Sequence, residues 1–169
     1  YSLAMACDCD SRSLNIYCFD ILEESLQILD SNIASNDLHT KPSTFNLGVG
    51  TPRTIYLPAS ISRSLGADLP TSVNLSHSVP PDSFAPSDSI AIPIVSLSTI
   101  FNIIHLNVPA PGQNLLIKID VEGYEGDILL PESNLLSIFR PHIICEVLPT
   151  TLCNLPCLET LLRDLNYTI

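Results

Sequence analysis

The stretch Leu115-Leu-Ile-Lys-Ile-Asp-Val-Glu-Gly-Tyr-Glu-Gly-Asp-Ile-Leu-Leu-Pro131 decides the fold of this chain. Its apolar first part predicts a buried parallel strand over residues 115–119. Its amphipathic second part predicts a helix over about residues 124–130, which the terminal proline ends. In open α/β sheets, ligands bind beyond the carboxyl ends of the strands, so Asp120 and Glu122 are the first candidates for functional residues.

Strand-like and helix-like segments alternate along the rest of the chain. A strand is predicted to end at Asp20, and an amphipathic helix with acids in its first turn follows from Glu23 to Ser35. The other predicted elements are strands at 43–47, 53–57 and 141–147, a turn at 48–50, a short helix capped by Ser96 or Ser98, a helix at 155–165 and the start of a strand at 167–169. This alternation predicts one domain over residues 1–169, of the α/β class, with a mostly parallel sheet flanked by helices.

Residues 58–93 differ in composition from the rest of the chain. They hold six prolines among many Ser and Asp residues. Such a composition predicts a long loop or insertion. Loops of this length near a sheet end either cover substrate or stay disordered, and the sequence leaves both possibilities open.

The charge balance excludes one large class of partner. The chain has a net charge of −11 with only seven Lys and Arg residues, and they are scattered. Nucleic-acid binding requires clustered basic residues, so no nucleic-acid partner is expected. No apolar run reaches the roughly 18 residues of a membrane-spanning helix, and a cytoplasmic location is the default expectation.

The six cysteines form no C-x-x-C pair. Cys18 and Cys145 lie in apolar, strand-like runs, where a free cysteine acts as a small buried hydrophobic residue. Cys7, Cys9, Cys153 and Cys157 have no common zinc spacing. Reduced thiols are therefore predicted, and no metal site.

Asp20 stands at the position of a ribose-binding acid. In dinucleotide-type folds such an acid follows the second strand, roughly 20 residues after a glycine-rich loop. Counting back from Asp20 puts that loop at or just before Tyr1, so the chain is expected to be truncated at its N-terminus and to lack the first strand and the glycine loop. The alternative is that Asp20 only caps the helix that follows it.

The segment Leu116–Glu125 resembles the signature of the FkbM-type methyltransferases, a branch of the class I enzymes that use S-adenosylmethionine. Ile16–Asp20, Phe45–Gly48, Ile94–Leu97 and His142–Glu146 resemble further segments of this family and occur in the family's order. The resemblance implies a Rossmann-like sheet, S-adenosylmethionine as cofactor and methyl transfer to a hydroxyl group of a sugar or another small metabolite.

The resemblance also implies roles for single residues. The cofactor-binding set is Phe19, Asp20, Ile21, Gly48 and Asp120, and the catalytic set is Asp120, Glu122 and Glu146. Asp120 is expected at the methionine end of the cofactor or beside the acceptor, and Glu122 is expected to be a base or a contact to the acceptor. The alternative for Asp120 and Glu122 is that they are acids that meet the positive end of a helix dipole.

Two other functions stay open at this point. One is a non-catalytic remnant of the fold that serves as an interaction domain. The other is a different α/β enzyme with an adenosine cofactor, such as a dehydrogenase, because Asp20 alone does not distinguish adenosine ligands. The sequence predicts no oligomeric state.

Overall fold

The structure is a computed structural model that describes residues 14–36, 41–59, 88–109, 114–147 and 154–169. The chain divides into two compact units, Tyr1–Gly48 with Arg53–Ile94 and Val49–Pro52 with Val95–Ile169. Strands and helices are mixed within the described ranges, so the predicted α/β class is confirmed. None of the helices in these ranges is long and apolar enough to cross a bilayer.

The elements of the described residues follow in chain order. They are β1 (Tyr17–Asp20), α1 (Glu23–Ser35), β2 (Ser43–Asn46), β3 (Gly48–Val49), β4 (Arg53–Pro58), β5 (Ser89–Val95), α2 (Leu97–Ile103), β6 (Leu116–Ile119), α3 (Glu125–Leu129), a 3₁₀ helix (Leu130–Glu132), α4 (Ser133–Phe139), β7 (His142–Cys145) and α5 (Leu155–Asp164). The sheets are β1-β2, β3-β5-β4 and β6-β7. A single, mostly parallel, Rossmann-like sheet therefore stays a prediction.

In the first unit, Asp20 lies at the carboxyl end of β1. β1 and β2 pair in parallel, and their last residues, Asp20 and Asn46, lie opposite each other. Parallel strands direct their carboxyl ends the same way, so both polar side chains lie at one sheet end. α1 then begins at Glu23, as the sequence predicts.

The core of the first unit lies on the antiparallel pair β4-β5. Alternate residues of a strand point to the same face, and here the buried residues are Ile55 and Leu57 on β4 with Ile92 and Ile94 on β5. The segment between β1 and α1 covers this layer through Ile21 and Leu22. Burial of these side chains thus fixes the turn that follows Asp20.

In the second unit, Asp120 and Glu146 follow the carboxyl ends of β6 and β7. β6 and β7 pair in parallel and end together, with Ile119 opposite Cys145. Leu129 of α3 and Leu136 of α4 have only 1 % and 0 % of their surface exposed, so these two helices supply the centre of the unit's core. The predicted Ser96 cap is confirmed, because its side chain accepts a hydrogen bond from the backbone N–H of Thr99 at the start of α2.

The predicted loop at 58–93 needs correction at both ends. Pro58 closes β4, and residues 89–93 belong to β5. Pro93 lies within that strand, opposite Thr54. A proline is compatible with a strand wherever its missing N–H is not needed by the ladder, and the prediction weighted it too strongly as a loop residue. Residues 60–87 of this segment lie outside the described residues.

Three smaller predictions also differ from the structure. Residues 48 and 49 of the predicted turn form β3, and residues 167–169 form no strand. The helix predicted over about residues 124–130 agrees with α3, but no helix was predicted beyond Pro131, where the chain continues through the 3₁₀ helix into α4. Proline is tolerated in the first turn of a helix, where its N–H would have no partner in any case.

Arg140 connects the C-terminal ends of α4 and α5. It caps α4 with left-handed backbone, φ 49°. Its guanidinium donates hydrogen bonds to the carbonyl oxygens of Leu165 and Asn166 and lies 4.3 Å from the ring centroid of Tyr167. One planar cation thus satisfies carbonyl groups that the end of α5 leaves without helical partners.

We expect Arg140→Ala to lower the free energy of unfolding by about 1–2 kcal/mol, because it removes charged hydrogen bonds and a cation–π contact on a partly exposed surface. Alanine meets the same left-handed strain as arginine, so the change isolates the guanidinium. Urea unfolding measures the loss. The control Arg163→Ala removes an arginine from the last turn of α5 and should cost less than about 0.5 kcal/mol. Equal losses in the two variants would contradict this account of Arg140.

Candidate active site

Asp20 orders the turn between β1 and α1. Its Oδ1 accepts a hydrogen bond of 2.8 Å from the backbone N–H of Leu22. The N-cap of α1 is Leu22, which makes no side-chain cap, so Asp20 does not cap the helix. Burial raises the pKa of Asp20, although backbone hydrogen bonds from Leu22 and Ile21 act in the opposite direction. The result is a half-buried carboxylate fixed at a strand end.

A small pocket lies beside this turn in the first unit. It encloses about 270 Å³ of space that is open to solvent, which is small for a ligand site. Its lining combines apolar side chains with a few polar ones: Ile21, Leu22, Glu23, Glu24, Asn46, Leu57, Ile90 and Ile92. The amide of Asn46 donates hydrogen bonds of 3.2 Å to the carbonyl oxygens of Asp20 and Ile21, so the pocket wall and the Asp20 turn are tied together.

The other predicted cofactor residues of this unit have packing contacts. The ring of Phe19 stacks on Phe45 with a centroid distance of 5.1 Å. A Cβ on Gly48 would lie 2.3 Å from Cδ1 of Ile94 and 3.0 Å from Cγ2 of Ile21, so β3 approaches these side chains too closely for a larger residue. Among the predicted cofactor residues, only Ile21 lines the pocket.

Asp120, Glu122 and Glu146 meet in the second unit. Asp120 directly follows β6, and Glu146 directly follows β7 at the neighbouring strand end. One carboxylate oxygen from each of the three residues lies within 4.8 Å of the others, and all three residues are exposed. The structure thus brings together the three residues that the sequence nominates as catalytic.

Lys118 determines the charge state of this cluster. Its Nζ lies 2.5 Å from Oδ2 of Asp120. This hydrogen bond, with a second one from Glu146, holds the pKa of Asp120 below its ordinary value. The pKa of Glu146 is raised, first by its hydrogen bond with Asp120 and then by the negative charges of Asp120 and Glu122. When one proton is present, it is therefore held mainly on Glu146.

The turn after β6 determines where Glu122 stands. Glu122 has φ 54° and Gly123 has φ 105°, so two successive residues take left-handed backbone. The carboxylate of Glu125, which is fully buried, accepts a hydrogen bond of 3.1 Å from the backbone N–H of Gly123. No role for Lys118 or Glu125 was predicted from the sequence. A lysine within an apolar strand is a sequence signal that points to an acidic partner. No such signal exists for Glu125, because helical spacing does not reveal that an acidic side chain is buried.

Asp127 connects α3 to the segment that follows β3. Its two carboxylate oxygens accept hydrogen bonds from Thr51, at 2.7 Å from Oγ1 and at 3.2 Å from the backbone nitrogen. Both residues belong to the second unit. This pair fixes the first turn of α3, the helix that follows the Glu122–Gly123 turn.

The cysteines among the described residues behave as structural thiols. Within the described part of the chain, Cys18, Cys145 and Cys157 form no disulfide, while Cys7, Cys9 and Cys153 lie outside the described residues. Burial and the nearby charge of Glu125 raise the pKa of Cys145, so its thiol stays protonated and is a poor nucleophile or metal ligand.

The carboxylate cluster offers oxygen ligands of the kind that Mg²⁺ and Ca²⁺ prefer. Exposed acidic groups often lie this close together without a cation, and the cluster makes its own contacts with Lys118. We therefore assign it no metal.

We expect Lys118→Met to raise the pKa of Asp120 toward its ordinary value of 3.8, because the strongest factor lowering it is lost. The pKa of Glu146 should rise further, since the charge of Lys118 lowers it. Carboxyl ¹³C NMR titration measures both midpoints. Lys41→Met removes the same charge at a lysine that contributes to neither pKa shift and should leave both midpoints unchanged. An unaltered Asp120 midpoint in Lys118→Met would show that the ion pair is not formed in solution.

Comparison with known proteins identifies the family. The profile described as the methyltransferase FkbM domain matches residues 3–167, nearly the whole chain. Neither the curated proteins nor the solved structures gave a significant match. The match covers the turn after β6 and both strand ends that carry the acidic cluster, and it confirms the resemblance drawn from Leu116–Glu125. The chain therefore belongs to the FkbM family of methyltransferases.

Proposed function

We propose that this methyltransferase uses S-adenosylmethionine and methylates a hydroxyl group of a sugar or another small metabolite. The observation that carries the proposal is the meeting of Asp120, Glu122 and Glu146 at the carboxyl ends of β6 and β7. Ligands of α/β sheets bind beyond such ends. We also infer the Rossmann-like form of the sheet that is typical of the family.

The residues fit the chemistry of the cofactor. Its adenosine part presents two vicinal ribose hydroxyls, and a carboxylate fixed at a strand end, such as Asp20, accepts hydrogen bonds from both. The pocket beside Ile21 has the mixed apolar and polar lining that suits part of an adenosine. The methionine part carries an ammonium group and a sulfonium, which negative residues such as Asp120 attract. The low pKa of Asp120 keeps it charged for this role.

When bound, the cofactor supplies an electrophilic methyl group. The chain must then orient the acceptor hydroxyl and remove its proton while the oxygen–carbon bond forms and the carbon–sulfur bond breaks. We assign Glu146 to receive that proton, because its raised pKa makes it a stronger base than Asp120. Glu122 lies beside it and is assigned to hold the hydroxyl by a hydrogen bond.

We expect the chain to bind S-adenosylmethionine in isothermal titration calorimetry. Asp20→Asn should weaken this binding roughly tenfold or more, because hydrogen bonds to a charged group contribute about 1.5–3 kcal/mol. Asp30→Asn is the matched control, since Asp30 is exposed on α1, where it accepts a hydrogen bond from Thr44. Tight binding of NAD with none of S-adenosylmethionine would favour a dehydrogenase. If neither ligand bound, a non-catalytic interaction domain would be favoured.

We expect methyl transfer to increase with pH through the pKa of Glu146, because the base must lose its proton before it accepts another. Glu146→Gln should remove this limb and lower kcat/KM by about 10²-fold or more. Release of S-adenosylhomocysteine with a panel of sugars and small alcohols measures the rate. Glu159→Gln on α5 is the control and should keep the wild-type pH profile. A pH profile unchanged in Glu146→Gln would exclude Glu146 as the base.

A further inference from the structure

The turn between β6 and α3 stores backbone strain at the proposed active site. Glu122 has φ 54° and Gly123 has φ 105°. Glycine takes such angles freely, but in a glutamate the left-handed region brings Cβ too close to the following carbonyl oxygen. Strain of this kind persists only where the surroundings impose it. Some contact must therefore hold Glu122 in this conformation.

Glu125 makes the contact that is best placed to do so. It is the first residue of α3, and its side chain has 0 % exposed surface. Its Oε1 accepts a hydrogen bond of 3.1 Å from the backbone N–H of Gly123, one residue after Glu122. A buried carboxylate is costly unless it is hydrogen-bonded, so this bond offsets the burial of Glu125 while it fixes the backbone at Gly123.

The position of Glu122 matters to the cluster that it faces. Its carboxylate belongs to the group whose oxygens lie within 4.8 Å of one another, with Asp120 and Glu146 as the other members. Its negative charge also contributes to the raised pKa of Glu146. A change of backbone conformation at Glu122 would turn this carboxylate away from the cluster.

We propose that Glu125 is a positioning residue, which holds the Glu122–Gly123 turn through its hydrogen bond to Gly123 and so directs the carboxylate of Glu122 toward Asp120 and Glu146. The consequence for catalysis rests on the proposed function. The consequence for geometry does not, and the two parts are tested separately.

The geometric test compares variants that keep or lose the hydrogen bond. Glu125→Gln keeps an acceptor at Oε1 but removes the charge, while Glu125→Met fills a similar volume without a carboxyl acceptor. Glu125→Asp keeps the charge but withdraws the acceptor, and it replaces Glu125→Met if that variant does not fold. The control is Glu132→Met, which removes another buried glutamate, one whose Oε1 accepts a hydrogen bond from the backbone N–H of Ser98.

The readout is the titration midpoint of Glu146 in carboxyl ¹³C NMR. Glu125→Met should lower it to the value found in Glu122→Gln, because Glu122 no longer faces Glu146. Glu125→Gln and Glu132→Met should keep the wild-type midpoint. A wild-type midpoint in Glu125→Met overturns the proposal. An equal fall in Glu125→Gln also overturns it, because the effect would then belong to the lost charge.

The kinetic test separates positioning from a purely structural role. Glu125→Met and Glu122→Gln should each lower kcat/KM about tenfold or more, and the double variant should be no slower than Glu122→Gln alone. If the fold-losses of kcat/KM in the two single variants multiplied in the double variant, Glu125 would act independently of Glu122. That result would indicate a role in the stability of the fold and overturn the proposal. If the wild-type chain transfers no methyl group, the proposed function fails, while the NMR titration still decides the role of Glu125.

Discussion

The parallel register of β6 and β7 is the constraint on which the proposed active site depends. Ile119 lies opposite Cys145, so the residues that follow them, Asp120 and Glu146, leave the sheet side by side. Neighbouring strands are only about 4.8 Å apart, and two carboxylates at adjacent strand ends must therefore share their surroundings. A shift of register by one residue would move the side chains of one strand to the opposite face of the sheet and separate Asp120 from Glu146.

Two like charges at this distance require compensation, and β6 supplies it locally. Residues i and i+2 of a strand point to the same side, so Lys118 can reach Asp120 without any change of backbone. This explains a lysine within an otherwise apolar run. The ion pair favours the charged form of Asp120, and the shared proton then belongs to Glu146. Lys118 on β6 thus gives Asp120 and Glu146 different pKa values although the two carboxylates are neighbours.

Sequence reasoning located the parts of the site that depend on local pattern. The apolar run before Asp120 and the helical spacing from Glu23 to Ser35 agree in position with β6 and α1, because strands and helices leave different periods in the sequence. The predicted burial of β6 is wrong except at Ile119, since Leu116 and Lys118 are exposed. It missed β5, where Pro93 masked an alternating apolar strand, and it missed α4 beyond Pro131. It also gave Glu125 no role, since glutamate is rarely fully buried and only the folded chain shows its hydrogen bond.

The opposite pKa shifts of Asp120 and Glu146 affect folding and function differently. The lowered pKa of Asp120 stabilises the folded state above its ordinary value of 3.8, and this contribution is lost as the pH falls through the lower, folded value. The raised pKa of Glu146 acts in the opposite sense, because the folded state loses stability as the pH rises above 4.5 toward the folded value. The two contributions therefore oppose each other in stability near neutral pH. In the function that we propose they do not cancel, since Asp120 would stay an anion for a cationic cofactor while Glu146 would become a base suited to a hydroxyl proton.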